Sequence, residues 1–134
     1  MKTLFYVKDS TDSLEFIVNV ENIVYFQKVS DSVYEMIQMI GGNPYIKKET
    51  MLDIINNTPE LWVHLDRVYY HNGEVYINKK HISQIDLVDY EERITHKILK
   101  IFKFNLGDVY VICSEANCSL EKFYQAIIQP NPYV

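Results

Sequence analysis

Glycine and proline are scarce in this sequence, four of each among 134 residues, and cysteine occurs twice. That scarcity excludes a collagenous chain or a low-complexity linker. Cys113 and Cys118 are too few to staple a secreted domain. The four histidines (His64, His71, His81 and His96) are scattered and form no ligand-spaced pair, so the cysteines read as reduced structural thiols and no metal is expected. No apolar run approaches the roughly 18–20 residues that cross a bilayer. Lys8 and Asp9 interrupt the opening Leu4-Phe5-Tyr6-Val7 before a signal-peptide core could form, so a cytoplasmic chain without membrane association is expected. There is no Gly-rich phosphate loop, no G-x-S-x-G, no H-E-x-x-H and no C-x-x-C. Neither enzymatic activity nor a cofactor is expected.

What the chain does have is aromatic and apolar material in globular proportion. Apolar residues make up 48% and charged residues 23%, and eleven tyrosines with six phenylalanines favour strands. The length suits one ordinary domain, and no linker divides it, so residues 1–134 read as a single domain. The net charge of −5 is unevenly placed. Residues 1–66 hold five Lys or Arg against ten Asp or Glu, whereas residues 67–134 hold eight of each. An acidic chain makes a poor generic nucleic-acid binder, because phosphate affinity comes mainly from Lys and Arg. A local basic strip can still bind, and Arg93, Lys97, Lys100 and Lys103 occupy a stretch free of acids.

Internal similarity is the most informative pattern. Phe16-Ile17-Val18-Asn19-Val20-Glu21-Asn22-Ile23 aligns with Val75-Tyr76-Ile77-Asn78-Lys79-Lys80-His81-Ile82, and Gly42-Asn43-Pro44-Tyr45-Ile46 with Gly107-Asp108-Val109-Tyr110-Val111. The first pair of blocks follows turn signals, 9–13 and His71-Asn72-Gly73, the second of which is a strong hairpin cue. Strands are predicted over 3–8, 14–19, 22–29, 33–40, 44–47, 66–71, 74–78, 81–88, 93–104 and 108–113. Helical spacing predicts helices near 50–57 and 117–128, with N-caps at Thr50 and at Asn117 or Ser119, and stops at Thr58-Pro59 and before Pro130 and Pro132. The fold class is therefore mainly β with minor helix, in two strand–strand–helix halves, 1–57 and 66–128. Ile23, Ile82 and Phe123 are expected in the core. Over 93–104, Ile94, Ile98, Phe102 and Phe104 alternate with Thr95, Lys97 and Lys103, as a strand with one wet face requires; a helix is the competing reading.

The remaining clusters have bland readings beside the sharp ones. Asp86, Asp89, Glu91 and Glu92 read as a solvated turn rather than a catalytic carboxylate pair. Lys79-Lys80-His81 could touch phosphate or simply be surface. Trp62 is better suited to anchor the core, with its N–H finding one partner, than to form a recognition patch.

With this order of elements the chain resembles the LytTR family of bacterial DNA-binding domains over roughly residues 3 to 128. The resemblance rests on Leu4-Phe5-Tyr6-Val7-Lys8 with Phe16 to Phe26, Thr50-Met51-Leu52-Asp53-Ile54-Ile55, Leu61-Trp62-Val63-His64, Tyr76 to Ile82, and Leu106 to Val111. It implies a LytTR-like β domain acting in transcriptional control, in a bacterium or bacterial mobile element, with duplex DNA as partner. His64, at the family's F-x-R-V-H-R-S-Y motif, would be the carried-over DNA contact; its bland reading is a histidine packed at a strand end. Lys79, Lys80, Arg93, Lys97, Lys100 and Lys103 would supply the charge. Departures are plain: Trp62 stands where the family has Arg, Leu65-Asp66 where Arg-Ser follows the His, Ser114-Glu115 near the late Arg, and extra residues separate His64 from Tyr76. The second half also resembles a small swarming-motility family through Asn72-Gly73, Ile77-Asn78 and Ile82. The alternative reading is a non-catalytic protein-interaction module that keeps the fold without the DNA-reading face, and binds a protein partner.

Overall fold

The computed structural model describes residues 2–9 and 14–128. The turn expected at 10–13 and the stop at Pro130 and Pro132 lie outside them. Alternating apolar residues put β1 (Leu4–Asp9) and β2 (Leu14–Asn19) into an antiparallel hairpin with Phe5, Val7 and Val18 turned inward. The chain continues through β3 (Ile23–Lys28), β4 (Val33–Gln38), β5 (Tyr45–Lys47) and α1 (Lys48–Asn57). Next come β6 (Trp62–Leu65), β7 (Val68–Tyr69), β8 (Val75–Asn78), β9 (Gln84–Glu91), β10 (Ile98–Asn105) and β11 (Tyr110–Glu115). The last element is α2 (Leu120–Phe123), which widens into a π-type turn over Tyr124–Ile128. The protein is mainly β, as its composition and alternation predict.

The strands form three antiparallel sheets, ordered β1-β2, β5-β4-β3-β8-β6 and β7-β11-β10-β9. The five-stranded sheet is central and is covered on both faces. One core gathers Phe5, Val7, Val18 and Val20 with Ile23, Phe26, Met36, Ile46, Met51, Ile54 and Trp62. The other gathers Val24, Tyr25, Val63, Val75 and Ile77 with Phe102, Phe104, Val111 and Phe123. Burial on both faces explains the unbroken apolar run Ile23-Val24-Tyr25-Phe26 in β3, which alternation alone would not produce. Trp62 takes the anchoring role: it packs on Phe26 at 5.2 Å, and its Nε1–H donates to Thr58 Oγ1 at 3.0 Å.

The aligned blocks share local geometry. Val20–Asn22 and Lys79–His81 are single 3₁₀ turns, each entered through an asparagine whose Oδ1 accepts from the second turn residue: Asn19 from Glu21 N–H at 2.9 Å, Asn78 from Lys80 N–H at 3.0 Å. Each is followed by an isoleucine in extended conformation, Ile23 and Ile82. Their burial differs. Ile23 is fully buried and Phe123 is 8% exposed, but Ile82 is only partly buried at the rim of the second core.

Several boundaries differ from the sequence reading. Of the predicted strand 66–71 only Val68–Tyr69 is strand (β7), while β6 lies before it at Trp62–Leu65, where no strand is predicted, and the two join different sheets. The Asn-Gly signal does make a tight turn, but one residue early: His71 and Asn72 are left-handed (φ 54° and 53°), and Gly73 N–H bonds the Tyr70 carbonyl at 3.0 Å. The flanking strands do not pair as a hairpin, because Tyr70, at φ 67° and ψ −167°, turns the chain from the outer sheet to the central one. The strand drawn over 93–104 begins only at Ile98; Arg93–Thr95 form the turn of a β9–β10 hairpin. Asp86, Asp89 and Glu91 lie on β9 rather than in a turn, each opposite a β10 residue. Helix α1 starts two residues before Thr50, with no side-chain cap from Lys47. Its start is instead met by the buried carboxylate of Asp9, which accepts from Lys47 N–H at 2.7 Å and Thr50 Oγ1 at 3.5 Å, a placement the helix dipole favours. Of the two alternatives for α2, Ser119 is the cap, accepting from Lys122 N–H at 3.2 Å.

Candidate nucleic-acid interface

The candidate cations divide between two ends of the molecule. Lys79 and Lys80 sit in the turn before β9, and Arg93 and Lys97 in the hairpin after it. The eight residues of β9 separate these positions by about 25 Å. Nor do the residues of β10 make one stripe. Lys100 faces Asp89 across the strand pair, with Nζ 2.7 Å from its carboxylate. Lys103, three residues on, points to the opposite face and lies 4.5 Å from the Tyr110 ring centroid. Lys80 is paired with Glu21 at 2.7 Å, which holds the Glu21 carboxyl below its ordinary range. His81 Nε2 contacts the Glu21 carbonyl at 2.6 Å in the same turn.

At the other end, β6 presents His64 outward. Its ring stacks on Tyr76 at 4.2 Å and 7°, and its Nε2 is 3.7 Å from Glu74. Glu74 also accepts from the Tyr34 hydroxyl, and burial together with that bond raises Tyr34 well above the usual phenol range. His64 is thus packed on one side and open on the other, its side chain 45% exposed. On the opposite face of the central sheet, His71 Nδ1 lies 2.6 Å from Gln27 Oε1, while Gln27 Nε2 donates to Glu35 at 2.6 Å. With Gln27 Nε2 turned to Glu35, the Gln27 Oε1 that faces His71 can only accept, so Nδ1 is the donor of this contact. Burial lowers the pKa of His71.

Two segments at this end are drawn together by tyrosines. Tyr69 on β7 and Tyr90 on β9, the two edges of the four-stranded sheet, meet at 4.9 Å between ring centroids. The sheet therefore coils, and Ile101 and Ile112, on the face turned away from Phe102 and Val111, are buried at 1% and 9% exposure. Tyr90 is also hydrogen-bonded to Tyr70, which raises its pKa, and Arg93 nearby opposes that shift. The loop carrying Arg67, Tyr70 and Asn72 is thereby set beside the hairpin carrying Arg93 and Lys97. Arg67, Arg93 and Lys97 are exposed and take part in no ion pair among the described residues. The sequence reading left out Arg67; its signal was there, a lone cation in the extra residues after His64.

An apolar cleft of about 530 Å³ lies between α2 and the start of β9, lined by Ile82, Ile85, Leu120, Phe123, Tyr124 and Ile128. Its polar rim is Ser83, Gln84 and Glu121, which brings no nucleophile–base pair together. Among the described residues no group of three or more His, Cys, Asp or Glu could hold a metal ion. Cys113 and Cys118 are not joined in a disulfide, and each is half-buried against the second core. No helix among the described residues is long and apolar enough to cross a membrane. No protein-family model, curated protein or solved structure matches the chain.

Proposed function

We propose that the chain is a LytTR-like DNA-binding module of transcriptional control, reading duplex DNA with the end built from the 66–73 loop and the β9–β10 hairpin. The observation that carries this reading is the Tyr69–Tyr90 contact at 4.9 Å, because it sets Arg67, Arg93 and Lys97 on neighbouring segments. These cations have no internal acid partner to give up, so phosphates meet them at little desolvation cost. His64 lines the same small cavity as Arg67 and can hydrogen-bond base edges or phosphates, whereas the Asn72 amide is bonded to the Lys28 carbonyl at 2.8 Å. Lys80 and Lys100, already paired with Glu21 and Asp89, contribute less.

The test is affinity for random duplex DNA over a salt series. Each phosphate neutralised contributes about 0.9 to the slope of log affinity against log salt. Changing Arg67, Arg93 and Lys97 together to Gln should flatten that slope by up to about 2.7, whereas Lys79→Gln with Lys80→Gln at the far end should leave it unchanged. The reverse pattern would move the DNA face to the other end. No binding at low salt would favour the alternative, a protein-interaction module, which the net charge of −5 and the acid-paired lysines support.

A further inference from the structure

We propose that Ile94, at the tip of the β9–β10 hairpin, is a wedge that enters a base step of duplex DNA and kinks it, with Arg93 and Lys97 on the flanking phosphates. The proposal rests on the DNA-binding reading above. It starts from an unfavourable exposure. Ile94 is 87% exposed, more than any other large apolar residue of the described chain, and Ile98 beside it is 68% exposed. The hairpin projects past the packed sheet. The third strand reaches as far as Lys100, whose carbonyl accepts from Ala116 N–H at 2.6 Å. Pairing continues outward through Leu99 to Ile98 opposite Glu91, so about 7 Å of two-stranded arm, with Tyr90 packed on Tyr69 at its base, precedes the turn.

The tip is held in shape from within. His96 is left-handed at φ 55°; its N–H bonds the Glu92 carbonyl at 2.9 Å, and Glu92 N–H bonds the Lys97 carbonyl at 2.9 Å. Thr95 Oγ1 donates to the Glu92 carboxylate at 3.1 Å. The charges of the arm are sorted along its length. Asp89 is paired with Lys100 at 2.7 Å and Glu91 with His96 at 3.2 Å, while Arg93 and Lys97 bracket Ile94 without acid partners. Glu92 is the remaining acid of the tip, and its carboxylate is turned back onto Thr95. A preformed arm whose apolar point is bracketed by Arg93 and Lys97 suits a duplex better than an apolar protein pocket, because the two cations flanking the point would be buried unpaired in such a pocket. An undeformed minor groove is about 6 Å wide, too narrow for a two-stranded tip, so entry requires the widening that accompanies a kink. Apolar wedges of this type unstack a step and bend DNA by about 20–90°.

The experiment uses the full chain and a duplex of about 30 base pairs carrying a fluorophore at each end, so that bending is read as energy transfer and binding as anisotropy. The chain should shorten the end-to-end distance on binding, and should bind a duplex with one mismatched step more tightly than a matched one. Ile94→Ala should keep the salt slope, lose most of the bend and lose the mismatch preference, with an unchanged urea midpoint. Arg93→Gln with Lys97→Gln should flatten the slope by about two. Binding without bending, or a bend untouched by Ile94→Ala, overturns the wedge and leaves the DNA reading standing. No binding to either duplex at low salt overturns both. Retention on phosphatidylglycerol vesicles that Ile94→Ala abolishes, without bending of DNA, overturns the wedge in favour of a lipid contact.

Discussion

Asn78 Nδ2 donates to the carbonyls of Val20 and Ile23, at 3.2 and 3.0 Å, joining the end of β8 to the turn that opens β3. The same side chain accepts from Lys80 N–H at 3.0 Å, so every hydrogen-bonding group of this fully buried amide has a partner. Asn78→Ala would remove all three bonds from a buried site, the Val20 carbonyl keeping only the Ile23 N–H, and should cost about 2–4 kcal/mol in urea unfolding. Asn19, at the aligned position, makes only its turn bond at an exposed site. Asn19→Ala should cost about 1 kcal/mol or less. Equal losses would refute the stitching role of Asn78.

The two isoleucines that follow these turns should separate in the same way. Ile23 has no exposed surface, and Ile23→Ala should cost about 2–5 kcal/mol through lost burial and a cavity. Ile82 lies at a rim that opens into the cleft beneath α2, so the cleft already supplies the space its loss would create. Ile82→Ala should cost about half as much or less. Matching denaturation curves of the two variants check this.

His71 gives stability a pH dependence of known sign. Burial holds its folded-state pKa below the ordinary value of 6.5. Below about 6.5 the unfolded chain takes up a proton that the folded chain resists, so the unfolded state binds more protons and stability rises with pH. The contribution is complete above 6.5 and is lost as pH falls through that value towards the folded pKa. His71→Asn keeps a residue that tolerates the left-handed conformation. Its urea midpoint should vary less between about pH 7.5 and 5.5 than that of the parent chain. An identical pH profile would show that His71 is not the titrating group.

Tyr70 occupies φ 67° and ψ −167°, a region open essentially to glycine alone, and the residue is 65% exposed. Tyr70→Gly relieves that strain while losing little packing and the bond to Tyr90. The variant should be more stable by about 1 kcal/mol, the strain exceeding the added backbone entropy. A loss of stability would mean that the Tyr70–Tyr90 contact outweighs the strain.

Local signals were legible in the sequence wherever the chemistry is local. The β1 and β2 boundaries follow from alternation, and the asparagine turns from a side chain that reaches its own backbone two residues on. Trp62 is legible as a core anchor because a lone indole packs as a large apolar body with one N–H to satisfy, and that N–H finds its acceptor in Thr58 Oγ1. The hairpin tip is not legible in the same way, because Ile94 keeps the strand period while lying in a turn beyond the packed sheet, where period no longer implies a strand or burial. Asp9 was invisible as the partner of the α1 start because it comes from 38 residues away.

The sequence by itself determined that this is a mainly β chain with two short helical segments, since side-chain period and turn chemistry act within a few residues. Tertiary structure alone decided which sheet each strand joined and which cations stand together. Two strands separated by a turn become a hairpin only if their buried faces point to the same core, and Tyr70 turns β7 and β8 to different ones. Two lysines three apart in sequence share no face of a strand, yet Arg67 and Arg93, twenty-six apart, are brought to neighbouring segments by the ring contact between Tyr69 and Tyr90. Charge placement depends on sheet coiling, and coiling depends on long-range burial that no short stretch of sequence contains.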